Sequence, residues 1–311
     1  MGRIYIGISG WRYAGWRGVF YPKGLTQNRE LEFASRALPS IEINGSFYSL
    51  QRPESYAGWY EATPPGFVFS VKGNRYITHI LRLKDIDKPL ANVFASGVFN
   101  LREKLGPFLW QFPPSFRYDP ERVEHFLSLL PRDTEEALKL ARKREPRMQG
   151  RSRLAIDENR KLRHAMEIRN KSFIDESFVA LLRKYQVALV VADAAGKWPY
   201  KEDVTSDFMY LRLHGEEELY TSGYTEDALD RWAARIRAWS MGDEPDDALR
   251  ISSQSSPGRT SRDIYCYFDN DAKVKAPFDA KRLIEKLELD EGLQPFTWQG
   301  KPQPYQPAPY V

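Results

Sequence analysis

The sequence predicts a (β/α)8 barrel, a closed ring of eight parallel strands, and three observations carry that expectation. Eight short β-type runs are spread along the chain, and helical patterns fall between several of them. No G-x-G-x-x-G or Walker sequence follows any run, which counts against the competing doubly wound open sheet. A length of 311 residues with 42% hydrophobic residues suits one large barrel or two ordinary domains.

In order, the runs are IYIGISG, SIEINGSF, FVFSVKG, PFLWQF, HAMEIR, VALVVAD, FMYLRLHG and DIYCYFDN. Each is short and rich in aliphatic or aromatic residues, as a strand buried on both faces requires. The helical patterns DPERVEHFLSLL, DESFVALLRKY and DALDRWAARIRAWS fall between runs, and DAKRLIEKLEL follows the last. Three segments read as additions to the barrel. Residues 132–163, between the fourth and fifth strands, are charged and partly helical; GDEPDDALRISSQSSPGRTSR is polar and loop-like; PFTWQGKPQPYQPAPYV is Pro-rich and extended. The expected organisation is one barrel domain over 1–294, including the 132–163 insertion, followed by a tail over 295–311.

Composition narrows the function classes. The single Cys266 excludes an internal disulfide and a clustered cysteine metal site, and its place within a strand reads as a core thiol. No apolar run approaches the roughly 20 residues of a membrane span, and Met1 leads into RIYIGISG without a leader pattern. A soluble, cytoplasmic protein with no membrane partner is the expectation. The net charge of +4 is local, because Arg132 to His164 holds 11 basic against 6 acidic residues. A solvated insertion accounts for that excess better than a basic binding face.

Barrel chemistry sits where the strands end. The first run ends at Ser9, Gly10 and Trp11; the second carries Glu42 and Asn44; the third ends at Lys72; the fourth carries Gln111. The fifth presents Glu167 and Arg169 on one face, the sixth stops at Asp193, the seventh alternates Arg212 and His214, and the eighth ends FDND, with Asn270 inside it. Converging at one mouth, these charges must neutralise one another, meet water or await a ligand. Glu167 and Glu42 offer the paired carboxylates of acid/base or glycosyl chemistry. Lys72 can shift its pKa when desolvated, and His214 titrates near neutrality, so these four are the catalytic candidates. Arg169 and Arg212 are candidate anion clamps. Asn44, Gln111, Asp193, Asn270 and His79 are candidate polar contacts, and Trp11 and Tyr48 are rings placed for stacking just past strand ends.

The segments GISGWRYAGWRGVFYP, IEINGSFY, TPPGFVFSVKGNRYITH, LGPFLWQFPPSF, YLRLHG and YFDNDAKVKAPFDA together resemble the YecE-like family, domain of unknown function 72, across nearly the whole chain. The resemblance implies a TIM-like barrel of unassigned activity. After the fifth strand that family reads Glu, apolar, Arg, His, then Ser-Trp; here EIRNKSF puts Asn170 and Phe173 at the His and Trp places. A role for that histidine does not transfer, whereas roles for Glu167 and Arg169 do.

The functional expectation is an enzyme, a hydrolase, lyase or isomerase, that binds a small anionic or hydroxyl-rich metabolite such as a sugar phosphate or nucleotide. One alternative is a nucleic-acid-binding or metal-dependent endonuclease-like barrel that sets the basic insertion on a phosphate backbone. Another is a non-catalytic partner-binding protein that uses the Pro-rich tail. No cofactor is assigned. Glu167, Asp193, His214 and Asp271 could supply oxygen and imidazole ligands to a divalent metal, but no compact ligand motif supports one.

Overall fold

In the computed structural model, which describes residues 1–256 and 258–297, eight parallel strands close into one barrel in sequence order. They are β1 (Ile4–Ser9), β2 (Ser40–Ile43), β3 (Val68–Lys72), β4 (Leu105–Gln111), β5 (His164–Glu167), β6 (Ala188–Asp193), β7 (Phe208–Leu213) and β8 (Asp263–Phe268). Each falls within one predicted run or, for β4, overlaps it. Closure is made by β8 on β1, where Tyr5 pairs with Tyr265 and Gly7 with Tyr267.

The period of two sorts every strand into an inner and an outer face. Val68, Leu109, Ala165, Val190, Ala192, Tyr210, Tyr265 and Tyr267 fill the barrel interior. Ile6, Ile8, Ile41, Phe69, Trp110, Met166, Val191, Leu211 and Cys266 pack outward under the helices. Gly7 faces inward, where a Cβ would lie 2.0 Å from the Ser40 carbonyl oxygen and 3.4 Å from the Tyr267 ring. Its missing side chain lets β1 and β2 approach and leaves room for Tyr267. That phenol hydrogen-bonds the Ser40 and Ser70 hydroxyls, each at 2.7 Å, so the polar interior below the mouth is satisfied.

The surrounding helices are α1 (Glu30–Ala37), the one-turn α2 (Gly45–Tyr48), α3 (Pro53–Ala62), α4 (Asp87–Ala95), α5 (Pro120–Leu129), α6 (Thr134–Ala141), α7 (Glu176–Tyr185), α8 (Glu226–Ser240) and α9 (Ala276–Lys286). No helix among the described residues is long and apolar enough to cross a membrane. Between β6 and β7 no helix forms. The polar 242–256 segment is tied to the 194–207 connection instead: buried Asp203 accepts the Ile251 and Ser252 amides, and buried Glu202 accepts that of Leu249 and pairs with Arg235 at 3.0 Å. Carboxylates fixing loop amides do the work that a helix does elsewhere.

The 132–163 insertion is not a solvated excursion. Its helix α6 lies on α4, Ala137, Ala141, Met148 and Leu162 are buried, and Arg163 pairs with Asp207 at 3.0 Å and Asp263 at 2.7 Å. Alternation of apolar residues within a charged segment gave it one buried face. The Pro-rich segment also begins on the barrel, since Phe296 is buried against Phe20 and Phe278. Residues 298–311, the rest of the expected tail, lie outside the described residues.

Candidate active site at the barrel mouth

The last inward position of each strand builds the mouth. Ser9, Glu42, Lys72, Gln111, Glu167 and Arg212 come from β1, β2, β3, β4, β5 and β7, while β6 contributes only Ala192. The residue after β8, Asp269, continues the inward row of Tyr265 and Tyr267.

Arg212 is the hub. Its guanidinium engages Glu42 bidentately, with Nε to Oε2 at 3.1 Å and Nη2 to Oε1 at 2.9 Å. Nη1 donates to Glu167 Oε2 at 2.8 Å, and Nη2 donates to Asp269 Oδ2 at 2.9 Å. Glu42 also accepts the Tyr210 hydroxyl at 2.7 Å and the Ser9 hydroxyl at 2.9 Å. Glu167 Oε1 accepts Gln111 Nε2 at 3.0 Å and Arg169 Nε at 2.8 Å. The Arg169 guanidinium lies over the Trp198 ring, 3.6 Å from its centroid, and its side chain keeps 12% exposure. Stripping water from so many ions costs several kcal/mol each, and this reciprocal pairing offsets that cost.

Electrostatics divides the ring into locked and poised groups. Burial pushes the Glu167 carboxyl up, but Arg169 and Arg212 outweigh it and hold the group well below the usual carboxylate range. Asp269 behaves alike: burial opposes ionisation, and Arg212 with His214 overcomes it. His214 Nδ1 lies 3.0 Å from Asp269 Oδ2, yet burial keeps the imidazole below its ordinary value and thus neutral near pH 7. Lys72 differs from all of these. Among the described residues no hydrogen-bond or ion-pair partner meets its ammonium, which sits 4.4 Å from the Phe47 ring centroid. Burial and then the Arg212 cation push it down to about 8, against the pull of Glu42, Asp269 and Glu167. Asp271, just beyond β8, is pushed up to about 7 by burial and by Asp269.

Several predicted residues stand elsewhere. Arg212 is fully buried, with four of its five guanidinium N–H groups on carboxylates and the fifth directed at His214 Nε2 at 3.5 Å, so it is committed to the ring and not presented to a ligand anion. Trp11 packs edge-on to Trp59 and against Phe69 in the outer layer, not over the mouth. Asp193 has the outward parity of Leu189 and Val191; it accepts the Tyr224 hydroxyl at 3.0 Å, and burial pushes it up to about 6. Asn270 is buried and ties Ser222 to Asp279 of α9. Tyr48 projects into a cleft beside the mouth. Asn44 opens α2 and lies against the Tyr13 hydroxyl. His79 is half-buried edge-on to Phe47; burial, then Lys72 and Arg169, lower it to about 4. Asn170 accepts the Ser172 amide and donates to the Pro114 carbonyl, a structural use of the place where the related pattern has histidine. The four candidate metal ligands share no centre, since Asp193 points away, and no group of three His, Cys, Asp or Glu among the described residues could hold an ion. Ser9 and Asp269, strand-end residues to which no role was assigned, join the mouth, as do Tyr210 and the loop residues Trp198 and Tyr220, which carried no sequence signal. Tyr220 lies edge-on to His214 with ring centroids 5.4 Å apart.

A closed parallel barrel with a charged ring at the strand ends defines the class as TIM-like. The chain belongs to the family described as protein of unknown function DUF72, whose model matches residues 5–305. The UPF0759 proteins YunF of Bacillus subtilis and YecE of Escherichia coli are each 30% identical to it, over 39% and 41% of this chain. Those matches cover 44% of each relative, so the chain aligns with less than half their length. Among solved structures, a DUF72 family protein from Thermotoga maritima superposes with a TM-score of 0.68 at 24% identity, covering 92% of this chain and 99% of that one. One from Enterococcus faecalis gives 0.65 at 16% identity, over 96% and 99%. Both likenesses establish the fold.

Proposed function

We propose that the mouth is the active site of an enzyme acting on a small anionic or hydroxyl-rich metabolite by proton transfer. The observation that carries this reading is the Lys72 ammonium, which has no ion-pair or hydrogen-bond partner among the described residues, in a ring whose Glu42, Glu167, Arg169 and Arg212 are paired. An unneutralised buried cation is costly to fold around, and a ligand oxygen would complete it. Lys72 and the partly exposed Arg169 are then the anion contacts, in place of Arg212.

The locked state of Glu167 changes its expected role. A carboxylate held far below neutrality is a poor proton acceptor, so Glu167 orients Arg169 and Arg212 and adds to the field around Lys72, while Glu42 grips Arg212 bidentately. Proton exchange falls to Lys72, poised near pH 7 at the mouth, which donates in its charged form. Charged Lys72 persists below about 8, so proton donation is lost as pH rises through that value.

A thermal-shift panel of sugar phosphates, hydroxy acids and polyols at pH 7.5 tests this reading. At least one member is expected to raise the melting temperature of the wild type saturably. The same ligand should bind Lys72→Met about tenfold more weakly or worse, since a charge-assisted contact is lost. Its affinity should fall above pH 8. A panel without a single shift, or equal binding by Lys72→Met, would contradict the proposal.

A further inference from the structure

A second concavity of about 630 Å³ lies beside the mouth, between the segment that joins α2 to α3, the π-helical turn Tyr76–Ile80, α4 and the 132–163 insertion. Arg52, Arg147 and Arg151 line it, and all three are exposed. Their only carboxylate neighbour in the lining is Glu145, which is already satisfied by Arg147 Nε at 2.8 Å and Asn92 Nδ2 at 2.5 Å. Among the described residues, Arg52 and Arg151 have no hydrogen-bond or ion-pair partner for their side chains. The lining is therefore doubly positive, on two forks that present several N–H donors each.

Two tyrosine rings stand on the same cleft, Tyr48 with 65% and Tyr76 with 44% exposure. Large rings left this accessible beside arginines provide stacking faces next to anion donors. The walls are set before any ligand arrives. Asn74 donates to the Ser46 carbonyl and accepts the Tyr76 amide, while Asn92 accepts the Glu145 amide. Such preorganisation lowers the entropy cost of binding.

A ligand that matches this chemistry carries a flat ring and an adjacent multivalent anion, and the volume lies in the range of small-molecule pockets. We propose that the cleft binds a nucleoside phosphate, free or as the terminal unit of a single strand. Phosphate oxygens meet Arg52 and Arg151, and the base stacks on Tyr76. This assignment is independent of the reaction proposed for the mouth. The two sites share a wall, since Tyr76 and Ile77 of the π-helical turn line the cleft while His79 of the same turn meets Phe47, the ring beneath Lys72.

Isothermal titration with ADP, with pyrophosphate and with a short single-stranded DNA tests the proposal on the full chain. Saturable binding of ADP, the DNA or both is expected at Kd below about 1 mM. The double variant Arg52→Gln/Arg151→Gln changes exposed side chains and should weaken it at least about tenfold. Tyr76→Leu should weaken ADP or DNA roughly fivefold while leaving pyrophosphate nearly unchanged. Lys72→Met should not alter these affinities. ADP binding as tightly as DNA assigns the free nucleotide, and much tighter DNA assigns the strand end. No binding by either, wild-type affinity in the double variant, or loss of binding in Lys72→Met would overturn the assignment; the last would move the ligand to the mouth.

Discussion

Arg212→Met is expected to destabilise the protein by about 3–5 kcal/mol, because it leaves buried carboxylates without their common cation. Glu42 would lose both of its guanidinium contacts, Glu167 would keep only Arg169 and Gln111, and Asp269 would keep only His214. Methionine fills much of the volume, so the loss would report electrostatics and hydrogen bonding more than a cavity. Urea unfolding at pH 7 measures it as a lower midpoint at unchanged slope. Arg212→Lys should recover little, since an ammonium cannot reproduce the bidentate fork to Glu42. An unchanged midpoint in Arg212→Met would mean that the ring is not held by this hub.

Lys72→Met should have the opposite sign. A lysine whose pKa drops from 10.5 to about 8 on folding is penalised in its charged form. The unfolded chain takes up the proton first as pH falls, so the penalty grows between about 10.5 and 8 and is complete below 8. It vanishes above the unfolded value. At pH 7 its removal is worth roughly 3–3.5 kcal/mol, from about 1.4 kcal/mol for each of the roughly 2.5 pH units of displacement. The variant should therefore be more stable than the wild type at pH 7 and equally stable near pH 11, while losing ligand affinity at the mouth. Stability traded for a poised group is the pattern of functional sites. A Lys72→Met protein less stable than wild type at pH 7 would show that the lysine is a structural ion-pair member.

Much of the fold was legible because β-type runs, once buried on two faces, leave a strong apolar signal. All eight strands form where VALVVAD, FMYLRLHG and the others stand. The mouth was legible only in part, and strand parity explains the difference. Glu42, Lys72, Gln111, Glu167 and Arg212 lie on the inner rows, whereas Asp193 and Asn270 share the outer rows with Val191 and Phe268. Counting by two from the interior tyrosines of β8 selects Asp269 over Asn270, so that signal was present in the sequence. Trp198 and Tyr220 had no such signal, since they reach the mouth from loops whose path depends on tertiary contacts. Nor does a residue list reveal saturation. Arg212 reads as an anion clamp until its carboxylate partners are seen to occupy the guanidinium.

The insertion shows a related limit. Net charge over 132–163 suggested a solvated segment, yet Ala137 and Ala141 lie four apart on one face of α6, which packs on α4, and Met148 is buried in the turn beyond it. Its exposed residues Arg147 and Arg151 then border the cleft beside the mouth.

The most direct test of the poised mouth is the titration of Lys72 followed by NMR of the isotope-labelled side chain, assigned by its absence in Lys72→Met. The expected result is a midpoint close to 8 for the folded protein. A midpoint near 10.5, the value of a freely solvated lysine, would contradict the account, because the ammonium would then be neither desolvated nor held beside Arg212.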